Sequence, residues 1–359
     1  MLNLYLSPPP VPPPPEPASP QSHHLLSQPS FQEHKTKTER SMLLTHALPL
    51  LNSVFDLVTV TFISGLIILS VLSISFIFHL RFKSKSITHL QNFNSLWTVR
   101  FLFVLFIFLW SIAELLRLPF FRRKYLYPFL PSFSISQQAN LCKVHIVLSL
   151  GFFEPAFLVT LLFLLNASIK KKTPNDAWAI TFVFFTCLPI ATLQALLIFF
   201  SPLENRVPVE TSVIFNDGYG FDTVLCAYPF LSSAVFAVFG IAYSAWFLCS
   251  CWRVLSLVIN KGLRVRIYLL ASIMLVALPM QIVSLGFSVL WSPNQEVYGI
   301  VSLVGFLGAF CCATTGEGIL VIKPISDALD AGGDCCMWKP RPPPEHDEES
   351  VVICLEGEK

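Results

Sequence analysis

Apolar residues fall in long runs along this chain, and short polar stretches separate them. Seven runs reach the roughly 20 residues that a helix rising 1.5 Å per residue needs to cross the hydrocarbon layer of a bilayer. They are Leu57–Leu80, Thr98–Leu118, Val144–Leu165, Ala177–Phe200, Pro229–Cys251, Ile267–Leu290 and Tyr298–Ile322. The second is the weakest, because Arg100, Glu114 and Arg117 intrude, but Phe101 to Ala113 is free of charge. The pattern predicts an all-α integral membrane protein, a seven-transmembrane helix bundle over residues 54–323. Residues 1–53 read as a Pro-rich disordered tail, since the first 30 hold ten of the 27 prolines, and proline supplies no N–H to a helix. The PPPVPPPP run there could also present a polyproline II surface. Residues 324–359 read as a second tail.

Composition agrees with lipid as the solvent. Residues of the set AVILMFWYC make up 54% of the chain and charged residues only 13%, against about a quarter charged in soluble domains. That deficit excludes a soluble globular enzyme, a disordered scaffold and a nucleic-acid binder that works through a basic surface. The first residues lack the basic-then-apolar order of a signal peptide, so the first span is expected to serve as its own insertion signal.

Orientation follows the Lys and Arg of short loops. With the N-terminus outside, the inner segments take Arg81, Lys83, Lys85, Lys170 to Lys172, Arg253, Lys261, Arg264 and Arg266. The loop with Arg122, Arg123 and Lys124 goes against the rule. The long loop Ser201–Tyr228 goes with it, as Arg206 stands alone among Glu204, Glu210, Asp217 and Asp222. The expectation is N-terminus outside and C-terminus cytoplasmic.

Ionisable groups inside a span cost a few kcal/mol to insert and mark candidate functional sites. Glu154 falls mid-way along the third span, beside Pro155, which removes an N–H and frees the carbonyl near residue 151. It is a candidate ligand contact or polar switch. It could equally be a packing hydrogen bond to Thr192, Gln194 or Gln281 on other spans. Arg100 and Glu317 lie at matching depths, within one helical turn, near the inner ends of the second and seventh spans, and are expected to form an ion pair. Glu114 and Arg117, three residues apart, can pair on one helix face near the headgroups. Pro189 and Pro279 interrupt the fourth and sixth spans and are expected to kink them.

On this topology Cys142 and Cys226 are the two cysteines facing an oxidising compartment. A disulfide between them would hold the long loop over the bundle; two unrelated thiols are the alternative. Cys335 and Cys336, beside Met337, Trp338 and Lys339, suit palmitoylation of the cytoplasmic tail. No metal site, cofactor motif, HxxxH pair, nucleophile elbow or phosphate-binding loop stands in the chain, and an enzyme is not expected.

Seven spans, an outside N-terminus, a third-span cysteine facing the loop before the fifth, a basic third inner loop and a palmitoyl-ready tail resemble the architecture of G-protein-coupled receptors. The overall pattern is similar to the plant candidate G-protein-coupled-receptor-like seven-transmembrane proteins. The chain departs from the common receptor motifs at Asn166-Ala-Ser-Ile-Lys170 and Gly316-Glu-Gly-Ile-Leu-Val-Ile-Lys-Pro324. The resemblance implies a receptor-like plasma-membrane protein with a small ligand, and a Gα subunit meeting Arg253, Lys261, Arg264 and Arg266. The alternatives are an endomembrane location and a small-solute transporter or channel.

Overall fold

A computed structural model describes residues 31–84, 96–122, 125, 134–167, 176–200, 212–217, 221–258, 261–291, 293 and 295–327. By its contacts the chain divides into Met1–Leu48 and Pro49–Lys359, and the second unit holds the spanning helices. Seven helices are long and apolar enough to cross a membrane. They are α1 (Phe31–Ser84), α2 (Trp97–Arg117), α3 (Ile135–Ala167, continuous through an altered turn), α4 (Asp176–Phe199), α5 (Phe230–Leu257), α6 (Lys261–Ser288) and α7 (Glu296–Glu317, running on to Asp327). Their outward surface carries large apolar side chains such as Phe185, Val238 and Trp252, a surface that hydrocarbon solvates and water does not. The chain is a multi-pass membrane protein whose spanning part is all-helical.

One expectation is corrected. Residues 31–53, read as disordered tail, are helical and continuous with the first span. The dense prolines end at Pro29 and only Pro49 follows before the span, so the composition argument covers residues 1–30 alone, which lie outside the described residues. The long loop before α5 carries regular structure. It contains an antiparallel hairpin of β1 (Ser212–Asp217) and β2 (Phe221–Cys226), in register from Ser212 opposite Cys226 to Asp217 opposite Phe221. Its strands carry the β-branched and aromatic residues Val213, Ile214, Phe215, Val224 and Phe221, which suit a pleated backbone.

Local chemistry sets the helix limits. α2 stops at Leu118, whose extended backbone (ψ 124°) precedes Pro119, because the proline ring disfavours a helical residue before it. α3 starts with a capping box: Ser134 Oγ accepts from the Gln137 N–H at 3.3 Å and Gln137 Oε1 accepts from the Ser134 N–H at 3.0 Å. α5 begins directly after Pro229, which supplies the first acceptor outside the helix.

α3 is the centre of the bundle, with 67% of its apolar window buried, against 22% for α4 and 28% for α1. It packs against α2, α4 and α5, while α6 packs closely on α5 and α7. Glycines allow the closest crossings. A methyl at Gly308 would lie 2.7 Å from the Ala277 carbonyl oxygen and 2.9 Å from Gln281 Cβ, so α6 and α7 meet there backbone to backbone. The core between the helices is filled by Phe103, Ile107, Phe157, Leu161, Phe236 and Met274 among others.

Candidate functional site

One set of buried polar groups converges within the bundle, toward the hairpin end. On α2, Trp110, Glu114 and Arg117 follow at intervals of four and three and so share one face. On α3, His145 and Ser149 are four apart and face the same way. Glu154 lies five residues beyond Ser149, about 140° further round an ordinary helix, and would point elsewhere. It does not, because Val147–Phe153 forms a widened turn in which the Glu154 N–H bonds the Ser149 carbonyl. The reason is Pro155, which cannot donate to the carbonyl four residues back. The chain accommodates it with a five-residue hydrogen-bonded turn, a device frequent at functional sites. The same widening precedes Pro324, where the Lys323 N–H bonds the Gly318 carbonyl.

A chain of side chains results. Arg117 Nε stands 3.1 Å from Glu114 Oε2, and its Nη1 donates to Tyr228 Oη at 2.9 Å and Ser302 Oγ at 3.1 Å. His145 Nε2 lies 3.5 Å from Glu114 Oε1. Ser149 Oγ lies 2.9 Å from Glu114 Oε1 and 3.2 Å from Glu154 Oε1. Trp110 Nε1 donates to both Ser149 Oγ and Glu154 Oε1 at 3.1 Å. Gln281 Nε2 on α6 donates to Glu154 Oε2 at 2.5 Å. Glu114, His145, Ser149, Glu154 and Gln281 are all buried. The Trp110 ring stacks on Phe306 of α7 at 5.8 Å and meets Phe157 of α3 edge-on at 6.0 Å, so its N–H is held in place from both sides. Four helices, α2, α3, α6 and α7, thus share one continuous polar chain.

A cavity of about 20 Å³, lined by Trp110, Glu114, Arg117, Glu154 and Gln281, adjoins this chain. That is room for about one water, not for a passing solute. Nearer the hairpin a second cavity of about 130 Å³ is lined by Asp56, Thr59, Arg117, Cys226, Tyr298 and Ser302. Arg117 and Ser302 border both. The hairpin closes over this end. Cys226 of β2 is bonded to Cys142 of α3, the Cys226 carbonyl accepts from Tyr298 Oη at 3.0 Å, and the Val224 carbonyl accepts from buried Arg122 at 2.5 Å.

The other expected contacts fare differently. Of the three partners considered for Glu154, only Gln281 reaches it. Gln194 instead bonds Ser232 on α5, through both its side-chain amide groups, and Thr192 bonds the Pro189 carbonyl of its own helix. Glu114 and Arg117 do pair, but inside the bundle rather than at the headgroups. Arg100 and Glu317 are not paired with each other. Glu317 is buried and accepts from Ser70 Oγ of α1 at 3.3 Å. Equal depth brings two groups to one level but leaves open which way each helix face turns, and the Glu317 face turns to α1. At the opposite end from the hairpin, Arg264 donates to the Val258 carbonyl at 3.0 Å and closes the end of α5. Arg266 pairs with Asp327 at 2.7 Å, while Arg253 and Lys261 are exposed. Cys335 and Cys336 lie outside the described residues. Among the described residues no three His, Cys, Asp or Glu side chains converge so as to hold a metal ion.

A family model described as "Uncharacterised conserved protein UCP031277" matches residues 45–334, which takes in six helices, the hairpin and the spanning part of α1. No curated protein matches the chain.

Proposed function

The chain belongs to that uncharacterised family, and from the geometry of its buried polar chain we propose that it is a receptor-like seven-transmembrane protein with its sensing centre at Glu154. The observation that carries this is the continuity from the hairpin to α6. Tyr298 holds the hairpin, Tyr228 and Ser302 meet Arg117, and Arg117 leads through Glu114 and Ser149 to Glu154 and Gln281. A small polar ligand entering beside Asp56 and Arg117 would meet the first links of that chain. Gln281 sits two residues past Pro279, where α6 lacks a backbone bond and can bend. Loss or gain of one hydrogen bond at Glu154 therefore acts on a helix already built to tilt.

The orientation proposed is N-terminus outside, with the hairpin end extracellular. A disulfide suits the oxidising side, and Lys261, Arg264 and Arg266 at the other end suit the cytoplasm. We place the protein in the plasma membrane, with a Gα subunit as the intracellular partner. Since Arg264 and Arg266 already bond groups of this chain at its surface, that contact falls to exposed Lys261 and its neighbours. The cavity at Glu154, with room for one water, favours signalling over solute passage.

Reconstituted full-length protein in liposomes tests this. Gα nucleotide exchange and solute or proton flux are measured for wild type and Glu154→Gln. The proposal expects exchange that the substitution alters and no flux in either. Flux abolished by Glu154→Gln, with exchange absent, would establish a transporter instead.

A further inference from the structure

A cavity larger than the two beside the polar chain lies away from it. It is a groove of about 890 Å³ between α3, α4 and α5. Its floor and walls are apolar: Leu162, Phe163, Phe182, Phe239, Tyr243 and Trp246. The aromatic walls are ordered by ring contacts, with Trp178 stacked on Phe182 at 5.4 Å, Phe163 against both, and Tyr243 stacked on Phe239 and Phe247. The groove is open along its side, where Trp178 and Trp246 are 58% and 65% exposed on the surface that faces the bilayer. Thr186 and the Tyr243 hydroxyl are polar points along the walls, and the end away from the hairpin gathers the most polar groups. There Asn166 Nδ2 lies 3.4 Å from Ser250 Oγ, tying α3 to α5, and Arg253 stands one turn beyond on α5. Among the described residues Arg253 is the single charged residue lining the groove. Among the described residues no ion pair engages its guanidinium.

We propose that this groove is a binding site for one anionic phospholipid, whose acyl chain lies along Leu162, Phe182 and Phe239 and whose phosphate meets Arg253, with Asn166 and Ser250 beside it. Location and chemistry select the occupant together. The sideways opening admits a molecule already in the membrane. The length from Arg253 to Phe239, fourteen residues or about 21 Å of helix rise, suits an extended acyl chain below a headgroup. A guanidinium at headgroup level with no ion-pair partner among the described residues attracts a lipid whose net charge is negative more than a zwitterionic one. This inference stands apart from the function of the Glu154 chain, and either can fail alone.

The groove's own tryptophans report occupancy. Full-length protein is reconstituted in vesicles of phosphatidylcholine with rising fractions of brominated phosphatidylglycerol or, separately, brominated phosphatidylcholine. Quenching that disappears in the Trp178→Phe, Trp246→Phe double variant is the groove's share. Brominated phosphatidylglycerol is expected to half-quench that share at about a fivefold lower mole fraction than brominated phosphatidylcholine. Arg253→Gln should bring the two lipids level. Ala242→Phe, a change at an exposed position of the wall, should remove groove quenching for both while the remaining tryptophans quench as before. Equal half-quenching by the two lipids in the wild type, or a preference that survives Arg253→Gln, would overturn the assignment. So would a brominated sterol that quenches at a lower fraction than either.

Discussion

Removing one oxygen atom tests how far the polar chain depends on its middle link. Ser149 has one hydroxyl proton and two carboxylates in reach, Glu114 Oε1 at 2.9 Å and Glu154 Oε1 at 3.2 Å, and it accepts from Trp110 Nε1 at 3.1 Å. Ser149→Ala deletes the donor that stands between the two acids and leaves Trp110 with Glu154 as its only acceptor in this cluster. No packing is lost beyond the one atom. Side-chain hydrogen bonds inside membrane proteins average about 0.6 kcal/mol and reach about 1.7. Two such bonds, one of them to a carboxylate, put the loss at about 1–2 kcal/mol. The assay is equilibrium unfolding in mixed micelles, read by far-UV circular dichroism, with Trp110 emission followed against a Trp110→Phe blank. Ser64→Ala is the control, because Ser64 is exposed and bonds only the Val60 carbonyl of its own helix. A loss for Ser149→Ala no larger than for Ser64→Ala, with Trp110 emission unchanged, would refute the idea that Ser149 joins the two acids.

Other expected outcomes follow from separate contacts. The Cys142→Ser, Cys226→Ser variant should lose up to about 4–5 kcal/mol in the chain-entropy model, for a loop of 84 residues, and non-reducing peptide mapping of the wild type should find the two cysteines linked. Gly308→Ala should cost about 1–3 kcal/mol, as its methyl meets a carbonyl on α6; Gly286→Ala, with nothing within 4 Å of the added atom, should cost less, and equal losses would deny the close crossing. Arg100→Gln and Glu317→Gln should add within about 0.5 kcal/mol in a double-mutant cycle, since the two are not partners. Coupling beyond that would restore the ion pair between α2 and α7.

Legibility in the sequence varied with the kind of signal. The seven spans stood out because lipid demands about 20 apolar residues in a row, a rule with no tertiary component. Glu154 stood out for the same reason, as an acid in hydrocarbon. Its neighbours did not. Trp110, His145 and Ser149 are ordinary members of membrane helices, and Ser149 joins Glu154 only through the widened turn that Pro155 imposes, against the 3.6-residue period. The proline and the carbonyl it frees were visible, but the widening of the turn by which the helix accommodates it was not. The Arg100 and Glu317 pairing failed for want of azimuth: depth follows from counting residues, whereas the direction of a face depends on which helix packs there. The hairpin was hidden by the acids and glycines around its short strands, and the helix before residue 54 by the prolines preceding it.

The account rests on the polar chain acting as one unit from Arg117 to Gln281, two residues linked through Glu114, Ser149 and Glu154. A double-mutant cycle of Arg117→Gln and Gln281→Leu, read as unfolding free energy, measures that directly. A unit predicts a coupling energy of at least about 0.5 kcal/mol between two side chains that share no bond. Additivity within about 0.3 kcal/mol would mean that the links are independent and that the hairpin end does not communicate with α6 through Glu154.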